Sequence, residues 1–399
     1  MKIGVLTHSA SDDNYGQLLQ CYALQQYLKG LGHQPFLIQY EVEDAPQKDI
    51  LSPVKDIVRG ILCLFSKKYC DAYNSVKAMQ RQREINAKRN KKREFVQFKA
   101  ENIEQTKFYA TLSELQETPP EADVYIVGSD QVWNPDVNSK SALAWYLQFG
   151  AKETKRVSYA ASIGRKLDES EYKQFHRFLE GFTAVSVREA NALECCEKAG
   201  VSKVKLVLDP TLLVTKDVYK PFIHKEKVEK PYLFLYYLNV IHKEDLAWNQ
   251  IEVFLREKNL QLQCVGSSGY YPVFDIIPGY ENSLLTIPEW LNAVYYSEYV
   301  VTTSFHGVVF SIIMHRPFVA ILLKGMYSGG NGRIISFLET LNLTSRIMTD
   351  DKSLGVILST TIDWVEVERL IENKRIESEM FIREALSYND SGNGSYVEP

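Results

Sequence analysis

The chain has 399 residues, more than one ordinary core accommodates, and suits two domains of similar size. With 45% hydrophobic and 24% charged residues it has the composition of a soluble globular protein, which excludes the disordered and fibrous classes. A net charge of −4 argues against a dedicated nucleic-acid binder while leaving room for a local basic patch.

Six cysteines, Cys21, Cys63, Cys70, Cys195, Cys196 and Cys264, form neither a CxxC pair nor a Cys/His cluster with zinc spacing. Adjacent Cys195 and Cys196 make a poor disulfide, so reduced thiols in a cytoplasmic protein are expected. The strand-like Ile3 to Thr7 leaves no room for a signal peptide, and no apolar run reaches the ~18 residues of a membrane span.

Ile3 to Leu6 reads as a short apolar strand. The polar stretch Thr7 to Gly16 leads into a helix with Leu18, Leu19, Tyr22, Ala23, Tyr27 and Leu28 at helical spacing, ended by Gly30 and Gly32. Phe36 to Tyr40 is the next strand and completes a βαβ opening of the nucleotide-binding-like kind. Walker and GxGxxG patterns are absent, so nothing in this opening demonstrates nucleotide binding. Asp12, Asp13, Asn14 and Tyr15 lie at the strand's carboxyl end, where they can hydrogen-bond sugar hydroxyls. A solvated loop with a helix cap accounts for the same residues.

From Val54 to Phe65, the apolar Val54, Val58, Ile61, Leu62 and Phe65 fall on one helical face, and Lys67 and Lys68 follow. A long polar helix then carries Lys88, Arg89, Lys91, Lys92 and Arg93. One reading is a peripheral membrane contact, with the apolar face in the interface and the cations on anionic headgroups. The other is a helical insertion with a solvated charged face.

Asp123 to Val127 is a buried strand that gives out into Gly128, Ser129 and Asp130. Asp130 can accept from a sugar hydroxyl, act as a base, or cap the following turn. Val157 to Ala160 reads as a strand, Phe175 to Phe182 as a helix, and Ala184 to Val187 as a strand, with Arg188 and Glu189 opening a helix through Ala199. Arg188 thus stands at a strand terminus facing the cleft. Its guanidinium can grip a carboxylate or phosphate in two-pronged fashion, or pair with Glu189 or another surface acid.

Lys205 to Leu208 closes this half, and the charged, proline-punctuated Thr215 to Pro231 reads as a linker. The expected plan is an N-terminal Rossmann-like domain at 1–214 with a helical basic insertion at about 54–107, a linker at 215–231, a second Rossmann-like domain at 232–363, and a C-terminal helix with a polar tail at 364–399. In the second half the strands are Tyr232 to Leu238, Gln263 to Gly266, Tyr299 to Thr302 and Phe318 to Leu322. Helices run from Glu244 to Glu257 and Pro288 to Tyr296. A Gly-rich loop from Gly325 to Gly332 precedes Arg333 and a helix through Leu341, and Trp364 to Leu386 reads as a charged amphipathic helix.

The chemistry concentrates in Val300 to Pro317. A β-branched run, Val300 to Thr303, meets a helical pattern at Val308, Val309, Ile312 and Ile313, so Ser304, Phe305, His306 and Gly307 occupy a strand-to-helix turn. In an open α/β sheet ligands bind there, because the helix N-terminus offers free N–H groups and partial positive charge. Ser304 can cap, Gly307 lets a ligand approach the backbone, and His306 is the titratable group. An anionic ligand is the natural guest, although a lone histidine at a turn also serves purely structural ends.

Several stretches resemble the polysaccharide pyruvyl transferase family: Asn14, Tyr15 and Gly16 with Leu19, Gln20, Tyr22, Ala23 and Leu24; GSDQVWNP at Gly128 to Pro135; SYAASIG at Ser158 to Gly164; SVRE at Ser186 to Glu189; LDPTLL at Leu208 to Leu213; and SFHGVVFSI at Ser304 to Ile312. The resemblance implies an α/β protein of two Rossmann-like domains in a GT-B-like arrangement with an interdomain cleft. It implies transfer of pyruvyl from phosphoenolpyruvate onto sugar hydroxyls as a ketal, in polysaccharide biosynthesis, without a cofactor or an obligatory metal. Carried over by position, His306 and Arg188 become donor-site groups with Ser304, Phe305 and Gly307 beside them. His306 is then the expected acid and Asp130 the expected acceptor base, with Asp12, Asn14, Tyr15 and Ser129 as acceptor contacts. The saccharide acceptor, free or lipid-linked, is expected at the inner face of the cytoplasmic membrane. Two other readings are a GT-B glycosyltransferase using a nucleotide-sugar, and a non-catalytic binding relative. The basic segment belongs to none of these signatures, and the sequence says nothing of oligomeric state.

Overall fold

The structure, a computed structural model, describes residues 1–40, 67–139, 142–224, 228–267 and 276–387. The helical face read at Val54 to Phe65 and the polar tail lie outside the described residues. Strands β1 (Lys2–Leu6), β2 (Gln34–Tyr40), β3 (Gln105–Tyr109), β4 (Val124–Val127), β5 (Lys155–Ala161), β6 (Ala184–Val187) and β7 (Lys205–Leu206) form a seven-stranded sheet in the order β3-β2-β1-β4-β5-β6-β7. Strands β8 (Tyr232–Leu238), β9 (Gln261–Ser267), β10 (Tyr299–Thr302) and β11 (Phe318–Ala320) form a second sheet in the order β11-β10-β8-β9. Every pairing is parallel. Helices cover both faces of parallel sheets, which is why β4 (VYIV) and most of β8 (YLFLYYL) are continuous apolar runs.

The strand order reverses between β1 and β4 in the first sheet and between β8 and β10 in the second. Such switch points open a crevice at the carboxyl ends of the strands. Here the crevices receive the loop at 7–14, the Gly128–Asp130 turn and the Thr303–Ser304 turn.

One apolar cluster lies on the outer side of the first sheet around Trp133, Tyr146 and Phe175, and another beside the second sheet around Trp248, Ile251 and Phe254. A third runs unbroken through both halves. It joins Leu18 and Leu24 of the helix Tyr15–Gly30 to Trp290, Val308, Phe337 and Ile371 of helices in the C-terminal half. The ring of Tyr15 stacks on Trp290 across this seam, 5.2 Å between centroids.

The helix Trp364–Ser387 ties the halves together a second time. His315 of the second half stacks on Trp364 and pairs with Glu368 at 2.9 Å, whereas Arg375 Nε donates to Leu212 O (2.8 Å), Lys155 Nζ to Leu386 O (3.2 Å) and the amide of Leu208 to Ser378 Oγ (2.9 Å).

Several elements differ from their sequence reading. The helix expected at Phe175 to Phe182 runs Glu169–Leu179, because Glu171 turns back to accept from the amide of Asp168 and fixes the start there. The helix expected from Glu244 is split, with a 3-10 turn at Lys243–Leu246, Ala247 at φ +52°, and a helix at Trp248–Lys258. The sheet takes β3 out of the stretch read as a basic insertion, and Phe95 and Phe98 of the helix Phe95–Asn102 join the core. Arg93, expected on a solvated face, is fully buried. It donates to Tyr15 Oη (2.5 Å), to Gly266 O (2.7 Å) and to Asn90 Oδ1 (3.2 Å), satisfying the guanidinium within the seam.

Candidate functional site

At the end of β10 the chain turns through Thr303 and Ser304 into the helix Phe305–Ile313. Ser304 is the N-cap: its hydroxyl accepts from the amide of Gly307 (3.4 Å), and its own amide donates to Thr302 Oγ1 (3.0 Å). A Cβ on Gly307 would lie 2.2 Å from Thr302 Oγ1, so only glycine lets this helix close on its strand. His306 sits in the first helical turn, 5% exposed. Its ring lies so near the first half's Gly16 that a Cβ there would stand 2.0 Å from Nδ1.

Across the seam the partner is Asp209. Its Oδ1 accepts from the amide (3.0 Å) and hydroxyl (2.7 Å) of Thr211. Its Oδ2 accepts from Arg188 Nη1 (2.6 Å) and Ser129 Oγ (3.1 Å) and lies 3.6 Å from His306 Nε2. Burial opposes ionisation of this carboxyl, but the positive charges of His306 and Arg188, with the hydrogen bond from Thr211, outweigh it and hold the group well below the carboxylate range.

Arg188, at the end of β6, has a side chain only 1% exposed. Besides Asp209 it faces Asp130 Oδ1 at 3.5 Å and Glu189 Oε2 at 4.0 Å, and its guanidinium carbon stands 4.7 Å from the Phe305 ring centroid. Burial penalises the cation, and the three carboxylates overcome that penalty and raise its affinity for the proton. Arg188 and His306 were expected to flank a shared anionic guest; the structure places the carboxylate of Asp209 between them. A buried guanidinium demands a counter-charge, and Asp209 supplies it.

Asp130 follows β4 at φ +68°, a left-handed conformation that aspartate tolerates better than most residues. Burial pushes its carboxyl up, but Arg188, His8, Arg333 and His306 together bring it below its ordinary value. Arg333 Nη1 is 3.7 Å away. The carboxylate stands between Arg188 and Arg333, so the base role expected for it competes with these two ion pairs. Its geometry suits anchoring the two guanidinium groups.

The expected acceptor contacts divide. Tyr15 is fully buried, donates to Leu285 O (2.7 Å) and accepts from Arg93, so it belongs to the seam and presents nothing to a sugar. Ser129 is likewise buried, its hydroxyl shared between Ala160 O (3.0 Å) and Asp209. Asp12 and Asn14 are half-buried in the loop at the crevice. Asp12 accepts from Asn90 Nδ2 (3.0 Å), and burial, with Asp13 adding to it, pushes its carboxyl up. Asn14 Oδ1 is buried with no hydrogen-bond partner among the described residues.

Sequence reasoning gave no role to Asp209, Arg333 or His8, and offered Glu189 only as an alternative partner for Arg188, from which it stands 4.0 Å. Glu189 Oε1 accepts from Ser162 Oγ (2.8 Å) and the amide of Ile163 (3.0 Å), fixing the loop after β5. His8 lies with its ring 4.4 Å from Trp145 and Nε2 3.3 Å from Gln131 O, beside Asp130. The available signal for Asp209 was its place in LDPTLL, where Asp-Pro opens a short helix. A groove beside this cluster is lined by Arg188, Asp209, Phe305, Leu208, Phe337 and Lys374.

Solved structures of similar fold include a UDP-N-acetylglucosamine 2-epimerase from Rickettsia bellii, at 10% identity and a TM-score of 0.54, with 97% of this chain and 96% of that one covered. A glycosyltransferase from Rickettsia africae matches at 12% identity and a TM-score of 0.51, covering 97% and 99%. Both likenesses concern the fold, two Rossmann-like halves in a GT-B-like arrangement. No curated protein matches the chain in sequence. The profile of the family described as polysaccharide pyruvyl transferase matches residues 14–324, which include Asn14 at the end of the crevice loop, the Gly128–Asp130 turn, Arg188, Asp209 and His306. With most of its length matched and these groups gathered at one seam, the chain belongs to the polysaccharide pyruvyl transferase family and is a transferase.

Proposed function

We propose that the protein transfers the pyruvyl group of phosphoenolpyruvate onto two hydroxyls of a saccharide to form a cyclic ketal. The observation that supports this reading is the convergence of Arg188 and His306, from opposite halves, on the one oxygen Asp209 Oδ2, at 2.6 and 3.6 Å. That geometry puts an imidazole and a planar cation within reach of one small group. The helix N-terminus at Phe305 and the nearby Arg333 add the positive potential that a phosphate and carboxylate require.

In this mechanism His306 gives its proton to the donor's methylene carbon, and positive charge develops at the adjacent carbon. A saccharide hydroxyl attacks that carbon and its proton passes back to the His306 ring, forming a tetrahedral phosphate adduct. The carbon–oxygen bond to phosphate then breaks, a second hydroxyl closes the ketal, and its proton leaves with inorganic phosphate. Arg188 steadies the departing phosphate, and Asp209 orients the ring and the guanidinium together. Asp12 and Asn14, half-buried in the crevice loop, are the groups that meet the acceptor hydroxyls.

His306→Gln is expected to cut phosphate release from phosphoenolpyruvate by about 10²–10⁴-fold, the usual weight of general acid catalysis, in a protein that keeps the wild-type circular-dichroism spectrum. Wild-type turnover in a folded variant removes the ring from the mechanism. Thermal shift tests the donor directly, since ligands of the native state raise the melting temperature. Stabilisation by phosphoenolpyruvate is expected; stabilisation by a nucleotide-sugar in its place overturns the reading.

A further inference from the structure

The helix Lys67–Asn90 with its continuation to Arg93 is an unusual piece of surface. Residues 67–93 hold ten Lys or Arg and two acidic residues, a charge of +8 against −4 for the whole chain, so the remainder carries −12.

The inward face of this segment is polar. Asn86, Asn90 and Arg93 are at most 3% exposed; Gln82 Nε2 donates to Asn86 Oδ1 (3.1 Å), and Asn90 holds Asp12 of the crevice loop. The outward face carries Lys77, Arg81, Glu84 and Lys88 at helical spacing, all exposed, and exposed Lys91 and Lys92 continue it. Ile85, 43% exposed, stands on the flank of that mainly cationic face.

We infer that this outward face docks on an anionic lipid surface. Cations near a membrane are drawn to acidic headgroups within a Debye length, and an isoleucine beside them gains further by entering the apolar boundary. A nucleic-acid backbone rewards the charges but offers nothing to Ile85. Docking in this orientation brings the Asp12–Asn14 loop, fastened to the helix through Asn90, close to the membrane plane. On the proposed function, that is where a lipid-borne saccharide would be met.

The full chain is to be sedimented with vesicles of phosphatidylcholine alone and of phosphatidylcholine containing phosphatidylglycerol, at low and high salt. Association is expected with the anionic vesicles only, reversed by salt, weakened ~10-fold or more by Lys77→Glu/Arg81→Glu/Lys88→Glu, and weakened severalfold by Ile85→Ser, which leaves the charge unchanged. Equal partition onto neutral vesicles, or no response to the triple charge reversal, overturns the inference. So does displacement from the vesicles by duplex RNA with no effect of Ile85→Ser, which would assign the face to nucleic acid. The measurement needs no turnover, so its failure leaves the transferase reading standing.

Discussion

Gly16 and Asp209 decide how His306 is held, one by its lack of a side chain and the other by its charge. Gly16→Ala introduces a methyl 2.0 Å from Nδ1 and must push the ring away. A displacement of about 1 Å costs about 10²-fold in rate, and that loss is expected in phosphate release together with about 1–3 kcal/mol lost in unfolding from overpacking. Asp209→Asn removes the counter-charge from a guanidinium whose side chain is 1% exposed. Breaking a buried pair in this way costs about 3–5 kcal/mol, which denaturant unfolding measures, and turnover is expected to fall with it. His306 and Arg188 were legible from the chain because their turns follow apolar strands. Asp209 was not, since its role exists only once Ser129, Arg188 and His306, distant in sequence, meet around it.

Among elements, the helix Glu169–Leu179 carries the clearest pH dependence. The hydrogen bonds of Arg165 bring the Glu171 carboxyl down from an ordinary 4.5 to about 2 against the opposing effect of burial, with the amides of Asp168 and Val137 contributing. A depressed acid stabilises the fold above its unfolded value. Its contribution of about 3 kcal/mol is therefore complete above pH 4.5 and fades as the pH falls towards 2. Acid titration of stability should show this slope in the wild type and lose most of it in Arg165→Ala. The same element shows where periodicity misleads: its charged opening, ESEYKQ, hides a start set by one carboxylate returning to a backbone amide. Strands β6, β8 and β10 were readable to the residue, being apolar runs with abrupt polar ends. Edge strand β3, QTKFY, was missed because only its last residue is buried.

At the scale of the whole molecule, the two halves are joined by more than the linker. Arg93 bonds both Tyr15 in the first half and Gly266 in the second, and no pattern in a basic run distinguishes a buried arginine from its solvated neighbours. Arg93→Ala leaves those oxygens without their donor. It is expected to destabilise the protein by about 3 kcal/mol, at about 1.5–3 kcal/mol for each bond to a charged group, lowering the melting temperature in calorimetry. The last helix adds a different constraint. It leaves the second half at Trp364, crosses to the first, and through Ser378 grips the amide of Leu208, the residue immediately before Asp209. Lobe rotation that drags this rod along its axis must therefore tug on the peptide bearing the central carboxylate, so opening the molecule and shifting Asp209 against His306 are mechanically one event.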